Sequence, residues 1–394
     1  TALNDYSLSV PFSGRFYGQG HVISGLVIKA NTESSAAGLF GVVANPDQSH
    51  DAVITGLTVQ DAMVYPGQGH AGILLGHGWG ARISDCEVSG SVFGPDCMGG
   101  LAGSFGYGST TMGTRSITRS FSSATVSASE RTAGGFVGSA SSVDISLCGA
   151  TGDVYSGDGD AGGFVGSDSC STSAGGVGYT NCYATGDVDG TTNYVGGFVG
   201  DPSSTRTRYC YAAGAATGGS PVGLVGGFAG YYSAYMNASY CDGQKTQFPI
   251  GGQGANTMIT MLQTSAMKVQ SSYDYLNFDT IWTISPYVND GYPVLRWQVK
   301  QALSIQITAP QAYLYPSETL QLAVSLEPSA TADQGYTIES SNPEIASVSS
   351  TGLVTAHRPG QVTIIARAVK GGAAGTFPLL VLSEDTIAGG FGGG

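Results

Sequence analysis

Charge is the scarcest commodity in this chain of 394 residues. Only 11% of them are Asp, Glu, Lys or Arg, and acids outnumber Lys and Arg 28 to 15, leaving a net charge of −13. That balance argues against nucleic acid as a partner, since binding it needs basic patches. No apolar run reaches the roughly 18 residues that a membrane-spanning helix requires. The first residues, "TALNDYSLSV", lack the pattern of a secretory signal, so a leader was removed or the chain is a fragment. The closing "AGGFGGG" reads as a linker, and no wall-sorting or lipidation signal stands beside it. No CxxC, HExxH or GK[ST] occurs. These gaps disfavour a Cys-based zinc site, a zinc peptidase and a phosphate loop. Residues 1–240 hold no amphipathic helical stretch.

Glycine is plentiful instead, at 62 residues, about twice ordinary usage. Much of it belongs to one six-residue unit. "AGGFVG" stands at 133–138 and 161–166, with variants at 36–41, 71–76, 98–103, 195–200 and 225–230. The last glycines are Gly41, Gly76, Gly103, Gly138, Gly166, Gly200 and Gly230. A second marker ends in the column Leu26, Leu57, Cys86, Ser120, Cys148, Cys182, Cys210 and Cys241. From column residue to next glycine the spacing stays between 15 and 20. From glycine to next column residue it runs 16, 10, 17, 10, 16, 10 and 11. Alternate repeats therefore carry an extra loop at one corner.

A β unit of about 30 residues that cannot bury its own face stacks on its neighbours. The expected fold is all-β: a right-handed parallel β-solenoid of about seven repeats, like residues forming ladders about 4.8 Å apart. Two apolar columns lie between the glycines. One is Leu39, Leu74, Leu101, Phe136, Phe164, Phe198 and Phe228; the other is Phe40, Leu75, Ala102, Val137, Val165, Val199 and Ala229. The simplest arrangement puts one inside the solenoid and the other under a loop or second layer. The glycines would allow corners and positive φ.

Near residue 300 glycine falls away. Six strand-like runs from "LSIQITA" to "TFPLLVL" follow at sandwich spacing, with "STG" and "RPG" as hairpin turns. Four segments result: solenoid 1–242, a cap or connector 243–300, an Ig-like sandwich 301–383, and a Gly-rich tail 384–394. In the connector, "NTMITMLQTSAMKV" (256–269) predicts a short helix capped by Asn256 or Thr257. Trp282, Tyr292 and Trp297 are expected to cover the end of the solenoid.

Chemistry-bearing residues are few. Five of the seven cysteines share the column where Leu stands in the first two turns, which favours small buried hydrophobes. A disulfide stays open, since adjacent rungs fall within its Cα range. Cys97 could reach Cys86, and Cys170 could reach Cys182. Asp158, Asp160, Asp187 and Asp189 are Ca²⁺ candidates read as solvated turn residues, because they lack the ligand count of a calcium loop. His70 and His77 could hold a metal but read as exposed turn residues. Asp144, Asp153, Asp168 and Asp201 are the carboxylates a glycan-cleaving solenoid would need. No nucleophile–base pair accompanies them. The reading is no catalytic residue, no cofactor and no metal site. The long loops 42–53, 104–116 and 167–178 should line up on one side, about 10 Å apart at two rungs of spacing, as a binding face.

Two resemblances complete the reading. "FSGRFYGQGHVISGLVI" (12–28), "NCYATGDVDG" with "YVGGFVG" (181–200) and "IWTISPYVNDGYPVLRW" (281–297) resemble the GLUG-motif repeats of bacterial surface proteins over roughly 10–298. "YTIESSNPEIASVSSTGLVTAHRPGQVTIIARA" (336–368) is similar to the bacterial Ig-like group 2 domains. The resemblances imply a non-enzymatic extracellular protein of the bacterial cell surface, structural or adhesive, whose partner is a glycan or protein. They leave open a filament subunit stacking head to tail, or the stalk of a larger surface peptidase or glycan-active enzyme.

Overall fold

The computed structural model describes all residues except 1–10, 30–35, 45–50, 107–114, 169–177, 192, 204–205, 219–223, 233–234, 252–258, 287, 301, 303, 328–334, 370–371 and 384–394. The expected variable loops, Cys170, Asn256 and Thr257 lie largely or wholly outside the described residues. The chain divides into two compact units, 1–276 and 277–394.

The first unit is a parallel β-solenoid. Its turns contribute strands to three parallel sheets. The largest takes the strands just before each column residue and the runs after it. The second stacks seven two-residue strands, among them Ala133–Gly134, Ala161–Gly162 and Val195–Gly196. The third stacks strands such as Val137–Ala140, Val165–Asp168 and Val199–Asp201. Like residues fall in register. Val64, Val92, Val126, Val154 and Val188 form one ladder. Ile83, Ile117 and Ile145 form another, continued by Tyr179 and Thr207.

"AGGFVG" is the corner between the second and third sheets. The chain bends at Gly163–Phe164, and the Phe198 carbonyl accepts both the Phe164 and Val165 N–H groups, at 2.8 and 3.0 Å. That bend turns both apolar columns into the same buried core, rather than one inside and one beneath a second layer. Phe136, Phe164, Phe198 and Phe228 stack with centroids 4.8, 4.9 and 4.9 Å apart. Each such aromatic pair contributes about 0.5–1.5 kcal/mol beyond area burial.

The corner glycines are required by close approach, not by positive φ. A Cβ on Gly162 would overlap the Val165 oxygen, and one on Gly163 the Gly197 oxygen. Left-handed backbone sits elsewhere, immediately before each column residue: Gly25, Gly56, Asp85, Arg119, Leu147, Asn181, Tyr209 and Ala238 all have φ between 47 and 70°. Glycine supplies it in the first two turns. Later turns use residues for which it costs about 1–2 kcal/mol.

This geometry corrects the end of the column. Tyr211 pairs with Tyr240 and Ala212 with Cys241, so Ser239 stands in the slot after Cys210. After the two leucines of the first turns, the slot holds a residue that can donate a hydrogen bond. Cys86, Cys148, Cys182 and Cys210 aim Sγ at the carbonyl two residues back, at 3.1–3.5 Å. Ser120 and Ser239 donate Oγ–H to the equivalent carbonyls at 3.0 Å. All six described cysteines are free and buried, Cys97 and Cys86 included. Burial pushes the Cys86 thiol up to about 11 and Cys241 to about 12.

The predicted helix at 256–269 divides. Ile259–Leu262 is a strand that pairs in parallel with Ser239–Asp242, Thr264–Met267 is helical, and 256–258 lie outside the described residues. An unpaired sheet edge captures the segment, because each ladder bond satisfies a backbone group the last turn leaves open. The Asp242 carboxylate accepts from Thr264 Oγ1, and Tyr273 packs edge-on to Tyr240 at 4.8 Å. Trp282, Tyr292 and Trp297 fall in the second unit, where Trp282 pairs with Leu295.

The second unit is a β-sandwich. Tyr313–Leu314, Ala374–Val381, Gly360–Ala368 and Tyr336–Ser340 form one sheet; Thr319–Gln321, Leu353–Ala356 and Ala346–Val348 form another. Leu314, Leu320, Val354, Ile364 and Leu379 fill its core. "STG" is the expected hairpin turn, with Gly352 at φ 83°. "RPG" is not a hairpin, because it carries the chain from Leu353–Ala356 in one sheet to Gly360–Ala368 in the other.

Candidate functional site

Each glycine-bracketed corner folds the chain so that the residues just before and just after it approach one another. The preceding positions are His70, Cys97, Thr132, Asp160, Tyr194 and Leu224. The following ones are Val42, His77, Ser104, Ser139, Ser167, Asp201 and Tyr231. The two series run side by side along the solenoid, as two contacts show. His70 and His77 rings lie 5.5 Å apart across one corner. Tyr194 and Tyr231 rings lie 5.0 Å apart across successive turns.

The strip changes character along its length. At its first turns it is closed. His77 is only 3% exposed, its Nδ1 hydrogen-bonds Ser104 Oγ, and Trp79 packs edge-on 4.9 Å away. Burial, then the neighbouring His70, lowers the His77 pKa to about 3. His70 is also lowered by burial, against the raising effect of Asp96. The exposed-turn expectation for this pair is therefore wrong for His77. Its ring is part of the packed wall, and among the described residues no group of three or more His, Cys, Asp or Glu could hold a metal ion.

At its last turns the strip opens. Asp160 and Asp201 are half-buried there, and Tyr231 is 47% exposed. Asp160 is raised to about 6 by burial first and by the Asp201 charge second, against a hydrogen bond from the Tyr194 N–H. Asp201 is raised by burial, against bonds from Ser203. Tyr194 is raised by desolvation and then by Asp201, Tyr231 and Asp160. Two acids thus sit close enough to raise one another's cost of ionisation, with two phenol rings beside them.

The other carboxylates go elsewhere. Asp153 accepts the Asp187 N–H at 2.9 Å, and Asp187 accepts the Ala215 N–H at 2.8 Å, so both tie successive turns together. Asp189 accepts from Thr217 at 3.0 Å, and Asp158 is exposed. Asp168 is buried and accepts the Tyr179 hydroxyl at 3.1 Å. Asp144 is exposed on the largest sheet. The four carboxylates considered for glycan cleavage do not converge. Asp201 meets Asp160 instead, a pairing hidden by 40 intervening positions. Tabulating one residue on either side of every glycine bracket would have found it.

Residues 302–376 match the bacterial Ig-like domain (group 2) family. No GLUG family matches the chain, and no curated protein matches it. Among solved structures, a candidate immunoglobulin A1 protease from Bacteroides ovatus is similar, at 20% identity and a TM-score of 0.47, over 71% of this chain and 76% of that one. A likeness at that level says nothing about activity. Among the described residues, no helix is long and apolar enough to cross a membrane.

Proposed function

We propose that this chain is a non-catalytic part of an extracellular bacterial surface protein, in which the solenoid presents a binding surface and the Ig-like unit serves as a spacer or adhesive module. The observation that carries it is the union in one chain of a bacterial Ig-like domain at 302–376 with a repeat array whose stacked corners present a side-chain strip. The interior of the solenoid is filled by apolar ladders, so recognition falls to its outside. The GLUG resemblance over 10–298 points the same way.

Three measurements test this reading. On intact cells producing the gene product, external protease should remove an epitope placed in this chain; an epitope protected until lysis refutes surface display. The purified chain should cleave no polysaccharide or peptide in a substrate panel, and release of any product refutes the non-catalytic assignment. Sedimentation should show no growth with concentration. Fibres would replace the adhesive reading with a filament subunit.

A further inference from the structure

The thiols of Cys148, Cys182 and Cys210 occupy successive rungs, but they are fully buried and hold carbonyl oxygens. A cleft of about 400 Å³ in the Ig-like unit, lined by Ser341, Gln361, Thr363 and Leu380 among others, mixes polar and apolar groups with no charge to select a ligand. The open end of the solenoid strip differs, because its groups share one electrostatic demand.

We propose that Tyr194 and Tyr231, flanked by Asp160 and Asp201, dock a guanidinium or ammonium group carried by a basic segment of a partner protein. The inference rests on the surface-binding reading above and names the kind of partner.

Three observations carry it. The first is charge complementarity. Neither Asp160 nor Asp201 forms an ion pair with a described Lys or Arg; the described pairs use Asp51, Asp85, Asp96, Glu339 and Glu344. Two half-buried carboxylates that oppose each other's ionisation are relieved by an incoming cation. A neutral hydroxyl leaves both charges in place, and an anion adds to them. The second is shape. Tyr194 and Tyr231 offer ring faces 5.0 Å apart. Tyr232 and Tyr235, close by in sequence, are also 40% and 52% exposed. A ring face attracts a cation within about 6 Å of its centroid, and does so best where carboxylates stand close by. The third is a precedent within the molecule. The Arg206 guanidinium already lies 5.4 Å over the Tyr235 ring, four residues beyond Tyr231. The net charge of −13 would draw a basic segment in from a distance. Two carboxylates fall well short of the six to eight oxygen ligands calcium takes, so a side-chain cation fits better than a bare ion.

The experiment uses the purified chain and a fluorescent, acetylated and amidated hexapeptide of alternating Gly and Arg, titrated by anisotropy at physiological salt. The double variant Asp160→Asn/Asp201→Asn, and Tyr231→Ala alone, should each weaken binding by roughly ten-fold. Tyr231→Phe keeps the ring face and should retain the wild-type affinity. Asp158→Asn/Asp189→Asn removes the same charge from exposed turns and should leave binding unchanged within about two-fold, as expected of screened surface charge. Equal losses in both double variants would reduce the effect to general attraction and overturn the proposal. So would the absence of saturable binding to the wild type, or a neutral oligosaccharide that binds this patch while the peptide does not. Display on cells is measured separately, so a failure here leaves the surface assignment standing.

Discussion

His77 offers the sharpest test of how the solenoid is built. The ring is held neutral in the fold, with a pKa of about 3, whereas an unfolded histidine titrates near 6.5. A group whose folded pKa is depressed contributes stability that is complete above its unfolded pKa and is lost as pH falls below it. At pH 7.5 the unfolded ring is mostly neutral and little is lost. At pH 5 the unfolded chain takes up a proton the fold refuses, and the loss is 1.36 kcal/mol times the 1.5 units below 6.5, about 2 kcal/mol. The figure depends on the unfolded pKa and not on the folded value, provided that lies well below 5. His70 acts in the same direction. Asp160, Asp144 and Asp201 are raised and act in the opposite one. All four remain when only His77 is changed, so the comparison of two proteins isolates it. His77→Ser installs the residue that Ser104 places in register on the next turn. Urea unfolding followed by circular dichroism at pH 7.5, 6 and 5 should show the wild type losing about 2 kcal/mol more than the variant across that range. The variant starts lower, because it opens a cavity beside Trp79, but its pH slope is shallower. Parallel slopes would show that His77 titrates freely, and would refute the closed wall described for the first turns.

Other substitutions probe the remaining parts of the design. Gly163→Ala places a Cβ against the Gly197 backbone oxygen, where nothing can move aside; thermal melting should show a loss of about 3 kcal/mol or more, or no folded protein. Phe198→Ala removes the ring between Phe164 and Phe228 and should cost about 3–5 kcal/mol in denaturant titration. Cys182→Ser should cost no more than about 1 kcal/mol, since Ser120 and Ser239 already serve that slot, whereas Cys182→Ala takes one donor from the Thr180 carbonyl, which keeps the Leu147 N–H, and should cost about 0.5–1.5 kcal/mol. Ala238→Gly relieves a left-handed alanine at φ 49° and should raise stability by about 0.5–1 kcal/mol, after the entropic cost of glycine is subtracted.

Much of the architecture was legible in the sequence because a ladder demands like residues at a constant spacing. Seven glycine brackets and an eight-membered column were enough to name a solenoid, and the strand runs after residue 300 were enough to name the sandwich. The errors share a cause. Cys241 fits the column by residue type, while the backbone places Ser239 there, since the slot is set by the register of Tyr240 on Tyr211 and Cys241 on Ala212. Residues 259–262 look helical by composition, but an open sheet edge offers them backbone partners that local propensity does not weigh.

The sequence alone determined the repeat, the identity of the core ladders and the change of domain, since all three follow from periodicity and burial of apolar side chains. Only the tertiary structure decided why the corners are glycine and which polar residues meet. The glycines answer to carbonyl oxygens on neighbouring turns, and Asp160, Tyr194, Asp201 and Tyr231 meet because those tight corners bring their flanks together. Contacts of that kind depend on how closely two backbones approach, and no local pattern of residues records that distance.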